Sequence, residues 1–349
     1  MTFSSGLVCL ALAFTCTYAA SLSYISQQKG WVELAPIARG PRQEHGVAFA
    51  GDDVYIIGGV PRVPANPTTV PSLDWADAYS TKDDTWRVIA PIPTPMNHAN
   101  AVGVNGKIYV LGGMTGDNYW KAIPDCYEYD PKADVWTTLP SMPADQARGA
   151  SALGVRGSNI YLGGGVILTN LTTTFQISVA TVTTYNIDIQ KWDTLPDLPE
   201  ARDHVGGAVI DGTFYVVGGR VNGNYNVRNT TFALDLDRPD SGEARWVEKA
   251  PMPTARGGLA TSYIDGVIYT FGGEGNPDLI PNGVYNATEA YNVATDTWAR
   301  LQSMSLPRHG TNAVAIGSCN YSPGGGNVAG PGAVDWNGAF CVANANDPS

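Results

Sequence analysis

Short apolar runs alternate with polar, turn-forming segments along the whole chain, and no stretch keeps the 3.6-residue beat of an amphipathic helix. One unit shows the order: "HANAVGV", the turn "NGK", "IYVLGG", a polar loop, "CYEYD", another turn, and "VWTTLP". That pattern predicts four short strands in succession. A tyrosine three residues ahead of a glycine pair recurs at Tyr55, Tyr109, Tyr161, Tyr215, Tyr269 and Tyr321, at intervals of 54, 52, 54, 54 and 52 residues. Tryptophans keep the same beat at Trp31, Trp86, Trp136, Trp192, Trp246 and Trp298, and Tyr79, Tyr129, Tyr185 and Tyr291 stand seven residues ahead of four of them.

Repeated four-stranded units of this length stack as blades around a central channel, each burying its faces against two neighbours. The ends are complementary. Trp31–Pro36 is a fourth strand with no first three before it, and the last unit, from His309, lacks a tryptophan strand. The expected architecture is an all-β, six-bladed propeller over residues 31–343, with the N-terminal outer strand pairing with the C-terminal blade and so removing exposed sheet edges.

Forty glycines, 24 prolines and only 15% charged residues fit a turn-rich β-protein. A net charge of −11 argues against nucleic acid and anionic membranes as partners. The uncharged run "GLVCLALAF" is too short to span a bilayer, and small residues follow it. It reads as the core of a signal peptide, residues 1–19, cleaved after Ala19 or, second, after Ala20. A short segment, 20–30, then leads into the propeller, and 344–349 is a tail. The expected product is an exported monomer without a membrane span or lipid anchor.

Export would leave Cys126, Cys319 and Cys341: one bridge and one spare thiol. Asn170, Asn229 and Asn286 open usable glycosylation sequons, Asn66 is followed by proline, and Asn320 falls in a predicted strand.

The doublet after a tyrosine-bearing strand, the Tyr-(Asp) strand, and Trp followed by "LPxMP" resemble the kelch repeat, over about Trp31 to Val342. Physically, paired glycines permit positive φ and close backbone approach, while Trp and Tyr supply large apolar areas with polar ends. In the last blade, Cys319 lies on the second strand and Cys341 on the third. A bridge there would staple the one blade that no continuous chain holds together, contributing about 3 kcal/mol. Cys126 is expected to be a buried free thiol.

The long segments after each doublet are expected to be loops on one face: 60–72, 114–124, 166–180, 220–230, 274–285 and 327–334. Entering that face are Arg42, Arg148, Arg202, Arg256 and Arg308, and all four histidines, His45, His98, His204 and His309. An arginine ring at a channel mouth would favour carboxylate ligands. The alternative is that these side chains satisfy backbone carbonyls and order the turn, with Glu44, Asp145, Glu200 and Asp203 neutralising some of them. Histidines spread around a ring need not converge, so no metal or cofactor is expected. Trp120, Tyr225 and Trp336 are candidate contacts for a sugar or peptide, unless Trp120 and Trp336 pack down on their own blades.

No nucleophile–base–orienter set, phosphate loop or metal motif is present in the sequence. The favoured reading is an extracellular binding module for a glycan or an acidic protein or peptide. The second is a sugar-active enzyme, because exported kelch propellers include copper oxidases of the galactose oxidase type and a sialic acid mutarotase. The oxidase ligand pattern does not carry over, since no Tyr-His pair occurs and Cys126 falls in a strand. A mutarotase would need only acid and base groups such as His45, His204, His309, Arg202 and Arg308.

Overall fold

The structure, a computed structural model, describes residues 28–64, 69–238, 245–276, 278 and 282–342. The leader, Asn66 and the tail lie outside the described residues. Four four-stranded sheets and one eight-stranded sheet, itself two four-stranded units joined edge to edge, make six antiparallel units. The first is Gly46–Ala50, Asp53–Ile57, Ala76–Ser80 and Thr85–Val88, numbered here as blade 1. The last, blade 6, combines Val314–Ile316, Cys319–Tyr321 and Asn337–Val342 with the leading strand Gln28–Leu34. That leading strand starts at Gln28, ahead of the expected Trp31, and Trp31 lies opposite Phe340. Cys319 and Cys341 face each other across blade 6 and are disulfide-bonded, while Cys126 is a buried thiol pushed up by burial to about 12.

Each tryptophan ties its blade to the preceding one. The indole N–H groups of Trp86, Trp136, Trp192, Trp246 and Trp298 donate to the carbonyls of Ala35, Ala90, Pro140, Pro196 and Ala250. Trp31 does the same to Gln302, 3.2 Å away, so the series runs through every junction, including the one between blades 6 and 1. Three junctions add a carboxylate. Asp84, Asp134 and Asp296 each accept from the tyrosine of their own blade (Tyr79, Tyr129, Tyr291) and from the backbone N–H of Ala35, Ala90 or Ala250. The polar ends of the repeated aromatic residues therefore hold the blades together where their rings fill the space between sheets.

At the axis the six units close on themselves through the backbone. Glu44 N–H donates to Gly310, His98 to Glu44, Ala150 to His98, His204 to Ala150, Gly258 to His204, and Gly310 to Gly258, at 2.6–3.1 Å. All six residues adopt left-handed backbone conformations, with φ between 50° and 65°. Non-glycine residues seldom adopt this conformation, and here the closed cycle of hydrogen bonds compensates for it.

The glycine doublets dock onto the next blade. Gly273 N–H donates to the Arg308 carbonyl at 2.8 Å, and a Cβ on Gly272 would fall 2.0 Å from that same oxygen. Only glycine fits such an approach.

Candidate functional site

The five arginines belong to the blades and do not form a free ring. Each is at most 1% exposed. Arg148 donates to the carbonyls of Gly164, Leu162 and Gln146 and to Thr183; Arg202 to Gly218, Thr230 and Glu200; Arg256 to Gly272, Thr254, Thr270 and Glu289. Arg42 pairs with Asp77, and Arg308 binds the Ser322 and Gly324 carbonyls beneath the Trp336 ring, 4.1 Å from its centroid. Burial lowers Arg148 to about 10 and Arg308 to about 9. The expected carboxylate-binding ring is thus replaced by five internal struts: four satisfy a doublet carbonyl, at Gly164, Gly218, Gly272 and Gly324, and Arg42 takes the Trp75 carbonyl and Asp77. Blade 2 fills the equivalent space with buried Met96.

The histidines behave differently. Three of the four converge on the axis, against the expectation that they need not. His98 Nε2 lies 2.9 Å from His204 Nε2 and 3.1 Å from Glu44 Oε2. His309 Nδ1 lies 3.4 Å from Glu274 and 3.9 Å from Glu44. Arg220 sits among them, paired with Glu274 and Asp203 and donating to His204 Nε2 at 2.9 Å. His45 stands apart, bonded to the Pro323 carbonyl and pushed to about 3 by burial and by Arg42.

The residues just before the ring positions and just after the doublets build this layer, paired as Asp203 with Arg220, Gly257 with Glu274, and His309 with Gly326. Burial holds His98 near 3 and lowers His204, with Arg220 adding to both effects. Burial would raise Glu274 and Asp203, but His309 and Arg220 pull Glu274 down to about 2, and His204 and Arg220 hold Asp203 low. Arg220 loses some basicity to burial and regains more from Glu274 and Asp203. The result is a dry, ion-paired Asp–Arg–Glu core with the His98 and His204 imidazoles, both made less basic by burial, against it. Arg220 and Glu274 were visible in the sequence as charges at a repeat position otherwise held by Val60, Met114, Val166 and Gly326.

The opposite half of this layer is apolar. Blades 2 and 3 lack the expected loops at 114–124 and 166–180. Their second and third strands run on as Lys107–Thr115, Tyr119–Asp130, Asn159–Asn170 and Phe175–Asn186, and the two hairpins pair with each other through Tyr119–Lys121 and Leu168–Asn170. Trp120 turns inward from this ledge, 4% exposed, packing with Val60, Val70, Met114 and Val166 and lying 5.3 Å from the His98 ring. It is a plug, and the expectation that it is an exposed contact residue is corrected. Trp336 also packs inward, against Trp31. Tyr225 is 59% exposed, as are Phe175 at 53% and Tyr119 at 46%.

Below the ring the channel is open space. A cavity of about 490 Å³ lies among the inner strands, lined by Val47, Leu153, Val209 and Ile264, with the exposed rings of Phe49 and Tyr263, and reaches the first-to-second-strand turns at Asp265 and Gly317. A smaller one, about 70 Å³, continues up to Glu44, His98 and His204, and the two share Ser151, Leu153, Val205 and Asn312. The accessible part of the channel thus lies at the end away from the post-doublet segments, and a plug closes the other.

Of the sequons, Asn286 is exposed and Asn170 half-buried at the ledge tip. Asn229 spends its amide on the Met252 carbonyl. Asn320 is fully buried.

Four-stranded units, docked doublets and indole staples define a kelch-type propeller, and the Kelch motif model matches residues 41–93, 95–143 and 255–305. The chain belongs to the kelch-repeat β-propeller family. It is 40% identical over 293 residues to Kelch-like protein terF of Aspergillus terreus, covering 83% of this chain and 62% of that one. It is 26% identical over 241 residues to human Kelch-like protein 34, covering 66% of this chain and 35% of the relative. The chain thus spans less than two thirds of the length of these relatives. The solved structure of YjhT superposes with a TM-score of 0.69 at 17% identity, over 90% of this chain and 98% of that one, which speaks to the fold.

Proposed function

We propose that the chain is an exported interaction module that takes a glycan or an acidic peptide on the face carrying the blade 2–blade 3 ledge. One observation carries the reading: the two hairpins pair with each other, so Tyr119 and Phe175 stand exposed on a hydrogen-bonded sheet. Blade 4 is tied to the same structure, because Asn222 exchanges hydrogen bonds with Ser178, and its loop carries the exposed Tyr225. Rigid aromatic rings beside amides and hydroxyls suit the apolar faces and hydroxyl edges of a sugar. Lys121 lies 5.3 Å from the Tyr119 ring centroid and offers a cation that an acidic group would meet there. With the arginines consumed inside the blades, a carboxylate ligand loses its strongest partner, and the carbohydrate reading gains.

Export is supported by the disulfide of blade 6 and by the accessible sequons at Asn170 and Asn286. A sugar-active enzyme would need its acid and base groups in reach of substrate. Glu44, His45, His98, His204 and His309 are each at most 9% exposed, and Trp120 covers His98. The test is glycan-array and acidic-peptide binding by the wild-type protein and a Tyr119→Ala, Tyr225→Ala double variant of unchanged thermal stability. Loss of binding at least tenfold is expected, and equal binding by the two proteins would refute the assignment.

A further inference from the structure

We propose that Glu44, His98 and His204 form a buried site for a divalent transition metal of the zinc class, at the closed end of the axial channel. Hydrogen bonds from outside fix which atoms face inward. Ser72 donates its hydroxyl proton to the Gly116 carbonyl, so its oxygen accepts from Asn97 Nδ2, and Asn97 Oδ1 is left to accept from His98 Nδ1 at 2.5 Å. His98 therefore presents a bare Nε2 to the axis. His204 donates its Nδ1 proton to Asp203 Oδ1 at 2.6 Å, and Ser178 holds the other Asp203 oxygen, so His204 also presents a bare Nε2. A carboxylate or amide behind each ligating imidazole is the usual outer support of a metal site.

Two bare nitrogens 2.9 Å apart, with Glu44 Oε2 3.1 and 3.8 Å from them, have no proton to share among themselves. Three atoms at those separations share a point about 2.1 Å from each, the normal zinc–nitrogen and zinc–oxygen bond length, with these three atoms left where they stand. A second feature points the same way. His309 Nε2 donates to the Val328 and Gly330 carbonyls, which leaves Nδ1 buried, without a hydrogen bond, and 3.9 Å from Glu44 Oε1. Arg220 does not stand in for the metal, because its charge is matched by Asp203 and Glu274, and on metal binding it gives up only its contact with His204. Among the described residues, the ion pairs of Glu44 are all with histidines, and Arg220 feels its charge only at longer range. The small cavity against Glu44, His98 and His204 joins the larger one through Ser151 and Asn312, and so supplies an entry path. Two imidazoles and one carboxylate select zinc, iron, cobalt or copper over calcium and magnesium.

The experiment uses the full exported chain without a histidine tag, stripped with chelator and then titrated with Zn²⁺ and, separately, with Co²⁺. Expected are one tight metal ion per chain by mass spectrometry of metal content, a raised Tm, and visible absorption from bound Co²⁺. His98→Gln and Glu44→Gln should abolish all three. Asn97→Ala, which touches only the support of His98, should weaken binding about 10- to 100-fold while leaving the apo protein folded. Substoichiometric metal in the wild-type protein, with no Co²⁺ spectrum, would overturn the site and leave a shared proton as the occupant. Wild-type affinity in His98→Gln or in a folded Asn97→Ala would overturn it equally.

Discussion

At the scale of single residues, the repeated polar atoms carry the account. Asp84, Asp134 and Asp296 each take a tyrosine hydroxyl and a backbone N–H across a blade junction, and these bonds hold their carboxyl groups below the ordinary value. A carboxyl lowered in the folded state binds its proton more readily when unfolded. Its stabilisation is complete above about pH 4 and is lost as the pH falls through the folded-state value. The triple variant Asp84→Asn, Asp134→Asn, Asp296→Asn should therefore be less stable at pH 7 and lose less on acidification, as read by denaturant midpoints from pH 6 to 2.5. Buried arginines are the other residue-scale device. Arg148→Ala removes the guanidinium donors to the Leu162, Gly164 and Gln146 carbonyls and to Thr183, with Ser151 still serving Gly164, and should cost about 3 kcal/mol or more in urea unfolding. The sequence showed where these arginines recur, but a guanidinium shortly upstream of an inner strand looks the same whether it points to the axis or folds back under its own doublet. That choice is made by the carbonyls that the left-handed glycines expose, which no residue count displays.

Among the elements, blades 2 and 3 depart from the repeat and blade 6 needs help. Their extended hairpins looked like loops in the sequence because Gly116, Asp117 and the run "NLTTT" are turn residues; the turns lie only at the tips, and the flanks "YWKA" and "VILTN" carry the β-branched and aromatic residues that pair. Trp120 fills the space beneath. Trp120→Ala should destabilise by about 3–5 kcal/mol and open the plug over His98, detected as faster exchange of nearby amides. The disulfide was legible because the two cysteines fall on adjacent strands of the one blade made from both chain ends. Replacing both with serine should lower stability by about 3 kcal/mol, measured by thermal and urea unfolding with and without reductant.

For the whole molecule, the interval of 52–54 residues, legible from the first tyrosine–glycine beats, sets the unit, and residues 44, 98, 150, 204, 258 and 310 repeat at the same spacing. What the spacing did not reveal is that these six positions meet at the axis, where a cycle of N–H to carbonyl bonds brings Glu44, His98 and His204 from three blades into contact. Convergence is a property of closure, so the axial cluster exists only if the ring does. The most direct test is hydrogen exchange of the Glu44, His98, Ala150, His204, Gly258 and Gly310 amides by NMR, in the intact protein and in one lacking the strand Gln28–Leu34. Closure predicts six amides that exchange only through global unfolding, and a joint loss of protection when the strand is removed. Unchanged protection at all six in the truncated protein, or fast exchange at any one of them in the intact protein, would contradict the closed ring.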